Sequence, residues 1–169
     1  ILKSQIIVDG KLTIWCQQHD EKNLKPVGAR KFELAGFSAA ESVGIVRFLI
    51  KIEHPSLEIT NSIQAAVSFL NKLKIKGVKF VEVPAANTPK GKDRVLVADS
   101  NSVIWARYYD IKNNKPFFSG RDGIERYDVS EIEYERRNGY AWYGDWPESL
   151  LRNYYPKWIK KNNLKSVLE

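Results

Sequence analysis

Two adjacent helical patterns between Ser38 and Leu73, joined by only a few residues, constrain the fold more than any other feature of this chain. "SAAE" at Ser38–Glu41 is a capping box, in which each side chain satisfies a free backbone donor at the other's end. The run after it, "SVGIVRFLIKI", reads as a helix that stops before His54-Pro55, because a residue preceding proline is driven out of the helical region. Ser56 caps a second helix, in which Ile59, Ile63, Ala66, Val67, Leu70 and Leu73 recur at three and four and form one buried face. So short a join predicts a packed antiparallel pair.

Around that pair the patterning changes. Residues 1–8 are amphipathic and fit either a helix or an extended segment, and Asp9-Gly10 is a turn signal between two short apolar runs. From Gly77, "GVKFVEVP" and "RVLVAD" are β-branched runs bounded by Gly, Pro or Asp and read as strands, with the polar loop "AANTPKGKDR" between them. "SVIWARYYDI" alternates, which puts Trp105, Arg107 and Tyr109 on one strand face and Ile104, Ala106 and Tyr108 on the other. Ser130 with Glu133 reads as a second capping box, opening a short helix that Asn138-Gly139 ends. Trp146-Pro147 opens a last helix with proline at its first position. No internal repeat, low-complexity tract or linker is evident. The expected fold is mainly α, with a small β-rich insertion around residues 77–120, in a single domain spanning 1–169.

The 169 residues suffice for one domain with a real core, and 43% hydrophobic with 28% charged residues is a globular balance. No apolar run approaches the ~20 residues of a bilayer span, so a soluble chain is expected. The single cysteine, Cys16, excludes an internal disulfide and a cysteine-based metal site. His19 and His54 are isolated and read as structural, and Asp99 alone is no metal site. Metal ligands are therefore not assigned. No HExxH, P-loop or GxSxG pattern is present. The chain has no methionine and opens directly into "ILKSQIIVDG", which suggests a fragment or a processed product.

A net charge of +7 points to a polyanion only where the charge clusters. The lysines at 72, 74, 76, 157, 160, 161 and 165 read as ordinary solvated faces, whereas arginine's planar fork suits carboxylates and phosphates. In "SGRDG", Arg121 lies between two glycines, which fits either a plain turn or a loop bringing its backbone close to a ligand. In "YERRNGY" the two arginines separate. Arg137 lies four after Glu133 and should form a surface pair. Arg136 shares a stripe with Val129 and Ile132 and should point inward, towards Asp122 or Asp128 or towards an anionic substrate. In "WARYY", Arg107 is flanked by rings. Rings plus guanidinium groups suit an acidic polysaccharide or a single-stranded nucleic acid, and periodicity does not choose between them.

The blocks "IWCQQHD", "GARKFE", "ESVGIVRFL", "WARYYDIKNNKPFFSGRDG" and "EIEYERRNGYAWYGDWP" resemble the catalytic module of family 10 polysaccharide lyases, the pectate lyases, from about Ile1 to Trp158. The resemblance implies part of an (α/α)3 toroid, the C-terminal half of a longer module, and calcium-dependent β-elimination on polygalacturonate. It implies Arg121 as the Brønsted base, with Arg107, Arg136 and, by a looser match, Arg30 meeting substrate carboxylates. It also implies a secreted, periplasmic or cell-surface protein, a monomer, whose partner is polygalacturonate rather than nucleic acid or membrane. The calcium-binding aspartates of the family match no block here, so Ca2+ is expected to be held by residues upstream, and the chain alone to be inactive. A non-catalytic module for acidic polysaccharide is the alternative, ahead of a nucleic-acid binder. A guanidinium pKa above ~12 makes arginine an awkward base unless neighbouring cations lower it, so activity should rise into alkaline pH.

Overall fold

The structure, a computed structural model, describes residues 1–168. A 3-10 turn (Leu2–Ser4) leads into the hairpin of β1 (Ile7–Val8) and β2 (Lys11–Leu12). Asp9 and Gly10 take φ of 48° and 73°, the pair of positive values that a two-residue type I′ hairpin demands. After a long loop, β3 (Phe37–Ser38) enters α1 (Ala39–Leu49), and α2 (Leu57–Lys72) follows. Ser56 caps α2 as expected, its hydroxyl accepting from the Ile59 amide at 3.3 Å. The two helices pack on each other. Ile63, Ala66, Val67 and Leu70 are all fully buried, so the apolar periodicity placed the inner face of α2 correctly.

The mainly α, toroidal expectation is wrong. β4 (Ile75–Pro84) and β5 (Lys92–Ala106) form a long antiparallel hairpin, and short pairs occur along most of the chain. β6 (Tyr108–Tyr109) pairs with β3, β7 (Phe118–Ser119) with β8 (Glu125–Arg126), and β9 (Tyr143–Gly144) with the end of β5. α3 (Tyr134–Gly139) is a short helix. α4 (Trp146–Ser149), a π-helical turn (Leu150–Tyr154) and α5 (Tyr155–Lys161) run on from one another. Strands thus begin at Ile7 and end at Gly144, well outside the expected 77–120 insertion, and the architecture is mixed α and β. One helix pair cannot build a ring of pairs. The segments between helices satisfy their backbone groups with one another, as strand pairs and turns, instead of continuing as helix. Among the described residues, no helix is long and apolar enough to cross a membrane.

The alternation read through "SVIWARYYDI" fails at Arg107. The strand stops there because the Ala106 amide donates to the Tyr109 hydroxyl (2.8 Å) and the Arg107 amide to the Trp142 carbonyl (2.7 Å). Trp105 and Tyr109 are both buried in the main core with α1 and α2, where their polar tips bond the Leu70 and Leu73 carbonyls. Arg107 turns the other way, beside a second cluster of Tyr108, Phe117, Phe118, Val129, Ile132 and Trp142.

Both capping boxes are also put to other uses. Ser38 makes no cap to the backbone; its hydroxyl donates to Glu41, whose carboxylate receives Arg107. The helix expected from Ser130 starts at Tyr134, and the 3-10 turn before it (Val129–Glu131) is capped by Asp128, which accepts from the Ser130 amide at 2.8 Å. The expected Glu133–Arg137 surface pair does not form. Arg137 instead forks onto Asp93 of β5 at 2.8 and 2.6 Å and donates to the Ile132 carbonyl at 2.7 Å, while Asn138 gives Asp93 a third bond at 2.7 Å.

This clamp ties α3 to the long hairpin. The Arg137 hydrogen bond holds the Asp93 pKa well below its ordinary 3.8, against the opposing effect of burial. A depressed carboxylate pKa contributes stability that is fully present above the unfolded value and is lost as pH falls through the folded one. In urea unfolding, Asp93→Asn should therefore lower stability at pH 7 by roughly 1–3 kcal/mol. The gap to the parent protein should close progressively as pH drops below 3.8.

Candidate active site

The segments that lead to the site's exposed arginines are copies of one another, contrary to the expectation of no internal repeat. "IWCQQHDEKNLKP" (14–26) and "IWARYYDIKNNKP" (104–116) are identical at seven of 13 positions and separated by 90 residues. Their backbones match as well. Asp20 and Asp110 each accept from the amide two residues on (3.0 and 2.8 Å), and Asn23 and Asn113 do the same (2.8 and 2.7 Å). Leu24 and Asn114 both take positive φ, 59° and 60°. Bridges His19–Pro26 and Tyr109–Pro116 close the loops. Both histidines' structural reading fits His19, whose ring accepts from the Cys16 amide at 3.1 Å and donates to the Leu24 carbonyl at 2.9 Å. Beyond each proline the chain delivers an arginine, Arg30 from the first copy and Arg121 from the second.

Both arginines arrive at the same ring. The guanidinium carbons of Arg30, Arg121 and Arg136 lie 5.0, 4.7 and 4.8 Å from the centre of Phe32. Arg136 also lies 5.0 Å from Tyr140 and 5.1 Å from Trp142, and Arg107 approaches the Tyr140 ring at 4.8 Å. The four arginines singled out in the sequence are therefore brought together through two rings, Phe32 and Tyr140. A cleft beside them is lined by Arg30, Glu33, Phe32, Arg136, Tyr140 and Trp142 among others. Arg121 and Arg107 are not among its lining residues; they reach it across Phe32 and Tyr140.

Three of the four cations bring their own anion. Arg30 pairs with Glu33, and the Arg30 hydrogen bonds pull the Glu33 pKa down to about 2. Arg107 pairs with Glu41 through Nε (3.0 Å) and Nη2; burial works against its charge, but Glu41 outweighs burial and the pKa stays raised. Arg121 forks onto Glu135 at 3.0 and 2.7 Å, which raises its pKa although Arg30 nearby opposes this.

Arg136 is the exception. It is 9% exposed, its Nε donates to the Ser119 carbonyl at 3.3 Å, and among the described residues it has no carboxylate partner. Asp122 is engaged by Arg126 and Asp128 caps the 3-10 turn, so neither expected internal partner meets it. Burial, then the nearby Arg121 charge, lowers its pKa. Aromatic faces offset part of the desolvation, and the guanidinium is left without a carboxylate partner.

The cleft's other wall is hydroxylic. Tyr108 donates to the Gln17 side-chain oxygen, and its hydroxyl stands 2.8 Å from that of Tyr140. Burial pushes the Tyr108 pKa up strongly, so its hydroxyl stays a neutral hydrogen-bonding group. The sequence did not single out Phe32, Tyr140, Gln17, Glu33, Glu41 or Glu135 as site residues. The overlooked signal was the near-identity of the two "DxKNxKP" loops, which points to whatever follows each proline. Among the described residues, no group of three or more His, Cys, Asp or Glu is placed to hold a metal ion, so these residues do not fit a calcium site.

A sequence search of curated proteins finds no match. Two solved structures resemble the chain, each with a TM-score of 0.79 and 32% identity over 95% of this chain. One is a family 10 polysaccharide lyase from Cellvibrio cellulosa, and the other is an aspartate-to-alanine mutant described in complex with trigalacturonic acid. The chain spans about half their length, 46% and 47%. The family model for pectic acid lyase matches residues 1–151, and the chain belongs to that family.

Proposed function

We propose that this chain supplies the arginine face of a pectate lyase that cleaves polygalacturonate by β-elimination. The observation that carries the reading is Arg136, a largely buried guanidinium with no internal carboxylate partner among the described residues, on the wall of a cleft that also offers rings and hydroxyls. A galacturonate unit has the matching parts: a carboxylate for the guanidinium, an apolar ring face for Phe32 and hydroxyls for Tyr140. The mutant relative's complex with trigalacturonic acid supports the same substrate class. A polymer of this kind is met outside the cell, so the reading carries with it a secreted or cell-surface location.

In the elimination the C5 proton passes to a base, its electron pair forms the C4–C5 double bond, and the C4–O bond breaks. Charge develops on the uronate carboxylate as C5 loses its proton. Guanidinium groups already fixed around that carboxylate stabilise the transition state more than the ground state. Arg121 is our assignment for the base, with Arg136 and Arg107 neutralising the carboxylates. One observation favours a second assignment: Arg30 itself borders the cleft, whereas Arg121 does not. In that case Arg30 is the base and Arg121 holds a carboxylate. Calcium is proposed as a requirement of the protein met by residues outside this chain, and no step above runs through it.

The protein carrying this sequence, given polygalacturonate and calcium, should release unsaturated product read by its ultraviolet absorbance, and chelation should abolish the signal. Arg121→Ala should lower kcat by about 10²-fold or more with little change in KM, and free guanidine should restore part of the rate. Should Arg30→Ala give that pattern and Arg121→Ala only raise KM, the second assignment holds. Binding without product in the parent protein would instead make this a carbohydrate-binding module. Arg136→Ala should raise KM by roughly 10-fold or more.

The pH profile tests the base directly. Glu135 raises the Arg121 pKa and so keeps the base protonated at neutral pH. Rate should rise well into the alkaline range, and Glu135→Gln, by removing that support for the charged form, should move the rising limb to lower pH. An optimum below neutrality in the parent protein would rule out Arg121 as base.

A further inference from the structure

Phe32 stands where the two copies of the repeat meet. The first copy ends in a tight turn, with the Glu33 amide donating to the Arg30 carbonyl at 2.7 Å and the Arg30 amide to the Glu33 side chain at 3.1 Å, and this turn carries Phe32 at its corner. The second copy has no ring after its arginine; Asp122 and Gly123 follow instead. Gly123 takes φ of 74°, and a Cβ there would come within 2.5 Å of the Lys31 carbonyl. Only glycine lets the second loop lie against the first at this point. Close approach at Lys31 is what allows Arg121 to reach the ring next door, so one aromatic side chain serves both arms.

The electrostatics make that sharing consequential. Arg30 lies close enough to Arg121 to oppose its charge, and Arg121 in turn lowers the proton affinity of Arg136. Like charges gathered on exposed loops separate unless something attracts each of them, and an aromatic face does so without neutralising them. Glu33 and Glu135 each hold one arm, but neither glutamate bonds both. Among the described residues, Phe32 is the only aromatic ring whose centre lies within 5.0 Å of all three guanidinium carbons.

We infer that Phe32 is a positioning residue that fixes the spacing of Arg30 and Arg121 around Arg136, and thereby makes the site select runs of free uronate carboxylates over isolated ones. This rests on the reading of the cleft as a uronate site. Whichever of the two arms is the base, Arg136 and the other arm at a fixed spacing engage the carboxylates of two units of one chain together, and the second contact is then intramolecular. A lone uronate, or a chain in which alternate carboxylates are methyl-esterified, engages only one arm.

Calorimetric binding to the protein that carries this sequence, with trigalacturonate, monogalacturonate, and polygalacturonate of low and high esterification as ligands, tests the inference. Phe32→Tyr should keep the parent's preference for the trimer and for the unesterified polymer. Phe32→Ala and Phe32→Leu should reduce the trimer-over-monomer affinity ratio by about 10-fold, over and above any loss of ring contact that both ligands share. Leucine keeps apolar bulk without a π face, so the leucine and tyrosine variants carry the test if the alanine variant does not fold. A Phe32→Leu protein with the parent's trimer preference overturns the inference, as does an equal loss for every ligand, which marks Phe32 as mere packing. A parent protein that binds no galacturonate ligand defeats the underlying reading instead, and is told apart because it needs no variant.

Discussion

A single buried charge organises this molecule. Arg136 cannot leave its site, because its neighbour Arg137 is bolted to Asp93 on the long hairpin and α3 is too short to rotate one residue without the other. Trp142 closes the far side and donates its indole N–H to the Arg136 carbonyl at 2.9 Å. The second aromatic cluster is thus less a stabilising core than a low-dielectric seat for a cation. Within such a seat a charge keeps its full reach towards an arriving anion, whereas on an open surface water would screen it.

Surrounding that cation, charge is arranged in pairs that contribute polarity without net attraction. Arg30, Arg107 and Arg121 each come with a glutamate, so the patch has high charge density but a modest sum. Such pairs keep the fork of each arginine oriented before substrate arrives, which lowers the entropy lost on binding. They also give an incoming carboxylate competitors. An acidic polymer with many carboxylates outcompetes a fixed glutamate more readily than a small acid does, because each exchange on one chain assists the next.

How far the sequence could be read depended on whether local rules decided the outcome. α2 and the Asp9-Gly10 hairpin were legible because periodicity and turn chemistry act within a few residues. The inward turn of Arg136 was legible for the same reason, from its stripe with Val129 and Ile132. The fold class was not. The strands of "GVKFVEVP" and "RVLVAD" are legible, but the short pairs outside them are not, because β3 with β6 and β5 with β9 join residues far apart in the chain. Glu41 was read as a cap when its true partner lies 66 residues away. Arg137 likewise took a distant aspartate over a neighbouring glutamate, since a bidentate, half-buried pair outweighs an exposed i, i+4 pair. Phe32 and Tyr140 sit in loop or helix-end positions where no periodicity marks them.

The long hairpin has its own exposure to manage. β5 bonds β9 only at its end, and the outer side of β4 is without a strand partner among the described residues, which leaves a row of backbone donors and acceptors open along most of its length. Edges of this kind invite another chain to add a strand. Here the edge is interrupted near one end by the register shift after Lys76, where Gly77 takes φ of 80°, is studded with Lys76, Lys79 and Glu82, and ends in Pro84. Each of these breaks the flat, uncharged run that templated assembly requires, so the ribbon that holds Arg137 beside the cleft also carries the features that discourage strand addition.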